Sequence, residues 1–241
     1  MRKVVTLSLI TVIGLNSYGQ SWMDIGIKGG WGLNFLYNKN MLDNDYTAKF
    51  SNGFTVGGKL GWNFNESHEM TLDVMYYQFN QTFKYNRTDS SGTASPEYTR
   101  NISFSGMQLF LLYRNNKDGH YVEVGPSLTT VGNAKVTDDL GVTPAQDNYA
   151  GFMQSHVGFT FGFGGYFIGT ENFGITMGFR ANYAITDAVK DDGVTNFPAF
   201  EKFDSYTATH PLTLMLVMEA NLDFAFMAKA KCSNKRKLIL F

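Results

Sequence analysis

Apolar and polar residues alternate one for one over long stretches of this chain. In 25–35 the odd positions are Ile25, Ile27, Gly29, Trp31, Leu33 and Phe35, with Gly26, Lys28, Gly30, Gly32 and Asn34 between them. In 54–64, Phe54, Val56, Gly58, Leu60, Trp62 and Phe64 alternate with Thr55, Gly57, Lys59, Gly61 and Asn63. The segment 173–185 sets Phe173, Ile175, Met177, Phe179, Ala181, Tyr183 and Ile185 against Gly174, Thr176, Gly178, Arg180, Asn182 and Ala184. In the last segment Leu212, Leu214, Leu216, Met218, Ala220, Leu222, Phe224 and Phe226 oppose Thr213, Met215, Val217, Glu219, Asn221 and Asp223. A period of two means strands, because successive side chains point to opposite faces. A helix would bring its apolar residues back every three or four positions.

The pattern predicts eight strands: 23–36, 51–64, 69–84, 98–113, 120–132, 153–168, 173–186 and 206–227. The third and fourth are less regular. Val74, Tyr76, Tyr77 and Phe79 slip phase, which predicts a bulge or a rim there, and 109–112 is apolar on both faces. The connections 65–68 (NESH), 114–119 (RNNKDG) and 169–172 (GTEN) are short and turn-like. Those at 37–50, 85–97, 133–152 and 187–205 are long, polar and rich in Asp, Asn, Thr and Gly. Long and short connections alternate throughout. That is the plan of an antiparallel up-and-down barrel whose two ends face different surroundings.

Alternation alone does not say which face is inside, but the composition of the polar face does. A water-exposed surface is crowded with Lys, Glu, Asp and Arg, as a soluble lipocalin-like cup would require. Here the polar face is mostly Gly, Thr, Asn and Ser, which suits a narrow lumen. The apolar face carries Trp, Phe and Met without charges and suits lipid. The expected fold is therefore all-β: an eight-stranded transmembrane barrel with short periplasmic turns and long extracellular loops. Roughly 9–11 tilted residues carry a strand across a membrane, and closure satisfies every backbone group in lipid. In GFTFGFGGYFIG (158–169), Phe159, Phe161 and Phe163 should face lipid, while Gly158, Thr160, Gly162 and Gly164 face inward. Gly164-Gly165 is a candidate kink. A phosphate loop would lead into a helix N-terminus, whereas YFIG continues as strand, and KGGWG at 28–32 fails in the same way.

Both ends of the chain stand apart from the strand pattern. MRKVVTLSLITVIGLNSYGQ begins with Arg2 and Lys3, continues apolar from Val4 to Leu15, and places Ser17 and Gly19 before Gln20. This is the form of a secretory signal peptide, 1–19, cleaved after Gly19; the apolar run is too short to span a bilayer. The barrel would occupy 20–228. The remainder, KAKCSNKRKLILF (229–241), is basic and then apolar, and is expected to be a periplasmic tail or a docking segment. A net charge of −1 points to no nucleic-acid partner, and a single cysteine, Cys232, excludes an internal disulfide. Aromatic residues make up 15% of the chain, too many for a disordered one.

Chemistry-bearing residues fall into four groups. The predicted lumen holds Lys28, Lys59, Asp73, Glu123, Arg180, Glu219 and Asp223. In a narrow barrel such charges pair into a structural plug or line an ion path; an aqueous porin channel would need roughly 16–18 strands. Ser155 and His156 at one rim, with His210 nearby, are the material for a lipid-hydrolysing triad, but phase puts His156 inward and His210 toward lipid. Asp43, Asp45, Asp138, Asp139, Asp191 and Asp192 fit no strict calcium-loop spacing. Phe197, Phe200, Phe203 and Tyr206 in the fourth long loop are a candidate binding surface. Neither catalytic residues, nor a metal, nor a cofactor is expected.

One stretch carries a family resemblance. FSGMQLFLLYRNNKDGHYVEVGPSLTTVGNAK (104–135), most sharply Tyr121–Leu128, resembles the PorT-like outer-membrane β-barrel proteins common in Bacteroidota. The resemblance extends over the whole mature chain in length and strand plan, and it marks a fold rather than an activity. It implies an outer-membrane location with both termini in the periplasm. It also implies a non-catalytic structural or adaptor role, with envelope or type IX secretion proteins as possible partners beside outer-membrane lipid. Such barrels usually stop at an aromatic-ended last strand; here Phe224 and Phe226 fit that role, but the chain continues. A narrow pore and a rim enzyme are the alternatives, and the barrel is expected to be monomeric.

Overall fold

The computed structural model describes residues 21–39, 46–85, 98–138, 153–169, 173–190 and 206–226. The predicted signal peptide 1–19, the tail 229–241 with Cys232, and Phe197, Phe200 and Phe203 lie outside the described residues, as do Asp43, Asp45, Asp139, Asp191 and Asp192.

Nine strands make one continuous sheet: β1 (Trp22–Asn38), β2 (Tyr46–Lys49), β3 (Ser51–Asn63), β4 (His68–Tyr85), β5 (Tyr98–Lys117), β6 (His120–Asp138), β7 (His156–Gly169), β8 (Phe173–Ala184) and β9 (Thr209–Phe226). Strands β2 and β3 pair one after the other with β4 and are two parts of one stave, interrupted at Phe50. Every pairing is antiparallel, and β1 pairs with both β3 and β9, while β4 pairs with β5, so eight staves close into a ring.

The register fixes the barrel's dimensions. Passing from partner to partner, Met23 leads through Trp62, Met70, Tyr113, Val124, Phe161, Ala181 and Leu214 back to Leu33, ten residues further along β1. A stagger of that size around eight staves gives a tilt of about 40° and a backbone radius of about 8 Å. Side chains then fill the interior.

Burial follows the alternation. Ile25, Ile27, Trp31, Phe54, Trp62, Phe159, Phe161, Phe163, Phe179 and Leu222 stand outward and exposed, while Lys28, Lys59, Thr160, Arg180 and Glu219 are buried. Stacked aromatic pairs ring the outside near both ends, Trp62–Phe64 and His68–Tyr113 at the short-turn end, Tyr183–His210 at the other. Such girdles mark the two membrane interfaces.

Several sequence expectations need correction. The pairing of β4 is regular on both sides, so 69–84 contains no bulge. Val74 and Tyr76 face out, while Met75, Tyr77 and Phe79 face in, because this part of the lumen is itself apolar. The register shifts lie instead between Ser105 and Gly106, between Tyr166 and Ile168 (two residues past Gly164-Gly165), and between Met23 and Asp24. The turn expected over 114–119 is only Asp118-Gly119, with φ of 51° and 78°. Lys117 pairs with His120 across it, a two-residue hairpin of the mirror-image type that favours Gly. Strand β5 therefore runs four residues further, to Lys117, and β6 runs to Asp138 rather than 132. At the long-loop end β7 and β9 start later than expected, at His156 and Thr209.

Candidate functional site

The lumen is layered along its axis. Toward the long loops it is mainly apolar, with Leu36, Tyr77, Phe79, Phe83, Ile102, Phe104, Ala134, Val136, Met215 and Val217 packed together and Asn38, Gln81 and Arg100 also buried at this end. Met153, Ala188 and Val189 join this cluster from the segments flanking β7 and β8, and Met153 bridges Val189. Asp187 ties the closure together: its Oδ1 accepts the backbone N–H groups of Val189 and Thr209, at 3.0 and 2.9 Å, and its Oδ2 accepts the Tyr206 hydroxyl. Tyr206 is thus part of the packed mouth.

Toward the short turns the lumen holds a contiguous array of ion pairs. Lys28 Nζ lies 2.7 Å from both Asp73 Oδ2 and Glu219 Oε2. Lys59 Nζ reaches Glu69 at 2.5 Å, Glu219 at 3.0 Å and Asp24 at 3.1 Å. Arg114 donates to both Glu219 oxygens, at 2.9 and 2.8 Å, and to Glu123 at 2.9 Å. Arg180 donates to Glu123 at 2.7 Å and to Asp73 at 2.9 Å. No side chain in these pairs exceeds 6% exposure. Two aromatic faces complete the packing: the Arg114 guanidinium sits 4.2 Å from the Tyr121 ring centre and Arg180 sits 5.0 Å from that of Phe110.

The sheet builds this array by placing opposite charges across from each other. Lys28 pairs in register with Glu219, Lys59 with Asp73, Arg114 with both Glu69 and Glu123. The glycines of the neighbouring strands β7 and β8 provide room. A Cβ on Gly162 would lie 2.7 Å from a Glu123 carboxylate oxygen, and one on Gly178 would lie 2.3 Å from the Tyr121 hydroxyl. The glycine-rich run therefore makes space for the large side chains of the adjacent strand, Tyr121 and Glu123.

Six of the seven lumen charges named from sequence, Lys28, Lys59, Asp73, Glu123, Arg180 and Glu219, meet in this array. Asp223 does not join it; it is half-buried at the mouth with Trp22 as hydrogen-bond partner. Sequence reasoning passed over Asp24, Glu69 and Arg114. Their phase was the available signal: Asp24 shares parity with Lys28, Glu69 with Asp73, and Arg114 with Phe110 and Leu112. His156 is buried on the inner wall of β7, whereas His210 stacks on Tyr183 outside. The histidine Nδ1–H groups reach different carbonyls, Gln154 and Ala184, and Ser155 is exposed. Among the described residues no group of three or more His, Cys, Asp or Glu is arranged to hold a metal ion.

A closed ring of eight tilted staves, apolar outside and ion-paired inside, defines a transmembrane β-barrel protein of an outer membrane. Residues 18–190 match the family described as outer membrane protein beta-barrel domain, and the chain belongs to that family. No curated protein matches the sequence. Among solved structures, the chain is similar to OprG of Pseudomonas aeruginosa (12% identity, TM-score 0.40, covering 85% of this chain and 98% of that one). It is also similar to Neisserial surface protein A (13%, 0.38, 81% and 95%). A third is Ail of Yersinia pestis in complex with the heparin analogue sucrose octasulfate (14%, 0.37, 83% and 99%).

Proposed function

We propose that this protein is a sealed, non-catalytic barrel with a structural or adaptor role in the outer membrane, working through its ends and its lipid-facing wall. The observation that carries the proposal is the buried ion-pair array, in which four cations each touch two or more carboxylates across the lumen. Charges satisfied by one another at this density leave no hydrated path for a solute. The opposite faces taken by His156 and His210 speak against a rim triad. The finer part of the proposal, a monomeric barrel beside an envelope or secretion complex, rests on the PorT-like resemblance of 104–135.

Ion conductance of the refolded barrel in a planar bilayer tests the reading, with a heat-shifted gel band reporting folding. The expected result is a folded, inserted and silent protein. Discrete, reproducible conductance steps would overturn it.

A further inference from the structure

At the short-turn end the array opens into a vestibule of about 190 Å³, lined by Trp22, Asp24, Lys59, Glu66, Glu69, Asn221 and Asp223 among others. That is the space of about six waters, enough for one long side chain. Its electrostatics are unbalanced. Among the described residues the paired array contains five carboxylates (Asp24, Glu69, Asp73, Glu123, Glu219) and four cations (Lys28, Lys59, Arg114, Arg180). Two further carboxylates, Asp223 and Glu66, stand at the opening, and Asp223 faces Asp24 directly across the β1–β9 pairing. The excess negative charge therefore collects at this end. The wall also carries an amide oxygen with no partner, packed over Gly26. Asn221 is 8% exposed and gives its Nδ2 to Glu219, while its Oδ1 has no hydrogen-bond partner. A site with surplus carboxylates, a free amide oxygen and room for one extended side chain suits an ammonium or guanidinium group.

A source of such groups is attached to the rim. Strand β9 ends at Phe226, paired with Trp22 of the vestibule wall. The sequence that follows, 227–241, contains Lys229, Lys231, Lys235, Arg236 and Lys237 and no acidic residue. We propose that the vestibule is a binding site for a basic peptide segment and that its occupant is the chain's own 227–241 tail. Occupancy would neutralise the mouth and hold the apolar end of the tail, Leu238–Phe241, against the rim. This inference does not depend on whether the barrel conducts.

The lone Cys232 supplies the test. In the refolded full chain, its reaction with a membrane-impermeant maleimide is expected to be about tenfold slower at low ionic strength than in about 1 M salt, where charge interactions are screened within roughly 3 Å. Glu66→Gln with Asp223→Asn should remove the protection. So should Lys235→Gln with Arg236→Gln and Lys237→Gln, changes outside the barrel that leave its fold, checked by the heat-shifted gel band, intact. Mild oxidation should join Glu66→Cys to Cys232 at low salt but not Ser155→Cys at the opposite end. A rate that ignores salt and both sets of substitutions would overturn the proposal. So would protection that survives neutralisation of the mouth. Capture of a free lysine-rich peptide by the vestibule while Cys232 stays fully reactive would overturn the tail as occupant and assign the site to another chain.

Discussion

Arg114 is the cation on which the lumen depends most, and Arg114→Met tests that directly. The guanidinium is fully buried, binds Glu219 through two hydrogen bonds and Glu123 through a third, lies 3.7 Å from Glu69, and covers the Tyr121 ring. Methionine fills much of the same volume but leaves five buried carboxylates facing three cations. Removing one partner of a buried pair costs about 3–5 kcal/mol, because the other charge stays dry and uncompensated. With a urea slope near 2 kcal/mol per M, the unfolding midpoint should fall by about 2 M. The assay is a reversible urea titration of the barrel in lipid vesicles, followed by tryptophan fluorescence. Adding Glu219→Gln to Arg114→Met returns the surplus to one carboxylate, and Lys28 and Lys59 keep Asp73, Glu69 and Asp24 as partners. The double variant should thus be more stable than the sum of the single effects by at least about 1 kcal/mol. An Arg114→Met barrel within about 1 kcal/mol of the native protein, or strictly additive single effects, would refute the claim that the array acts as one coupled unit.

Three further outcomes are expected in the same assay. Gly178→Ala should cost about 1–3 kcal/mol, since its Cβ would press within 2.5 Å of the Phe163 carbonyl and 2.3 Å of the Tyr121 hydroxyl; Gly58→Ala, whose nearest neighbour is at 3.7 Å, should be close to neutral. Equal effects would remove the argument that inward glycines make room for large side chains of the neighbouring strands. Phe161→Arg on the lipid face should cost about 2–4 kcal/mol in vesicles, and a neutral result would mean that this face is not in the hydrocarbon. Gly119→Val at φ 78° should cost about 1–2 kcal/mol by straining the hairpin, with tolerance of valine there indicating a different turn.

The parts of this fold that the sequence displays are those where one environment acts on every second residue. Lipid demands an unbroken apolar face, so Phe159, Phe161 and Phe163, or Leu212 through Leu222, reveal strand, phase and outward direction together. The inner face is legible only where it is polar. Lys28, Lys59, Asp73, Glu123, Arg180 and Glu219 stand out among apolar neighbours, and their phase places them in the lumen. Where the lumen is apolar the contrast vanishes: Tyr77 and Phe79 beside Tyr76 look like a slipped register, although β4 alternates without interruption. Arg114 was hidden for another reason. It opens the run RNNKDG, whose composition favours a turn, and the turn itself uses only Asp118 and Gly119. Which inner charges touch was legible only for partners on adjacent strands, such as Arg114 and Glu123 across the β5–β6 hairpin. The remaining contacts follow from the ten-residue stagger, which brings Glu219 of β9 to Arg114 of β5 across the barrel rather than along a strand pair.

In the sealed barrel proposed above, the two layers of the lumen would close it by different physics, which separates stability from permeation. At the short-turn end the fillers are charges, held because each cation has several carboxylate partners. At the long-loop end the fillers are Tyr77, Phe79, Phe83, Phe104 and Leu36, together with Met153, Ala188 and Val189 folded in from beyond the staves. A hydrated ion passing through would have to displace the first layer and then enter the second, where the packed side chains are mostly apolar and offer little to replace its water. Disrupting the ion pairs is therefore expected to weaken the barrel without opening it, since the apolar layer still stands. Removing Asp187, which clasps the loop-end segments, loosens the second layer and leaves the first intact. Neither change alone is expected to complete an aqueous path, and conductance from either single variant would count against the structural role proposed above.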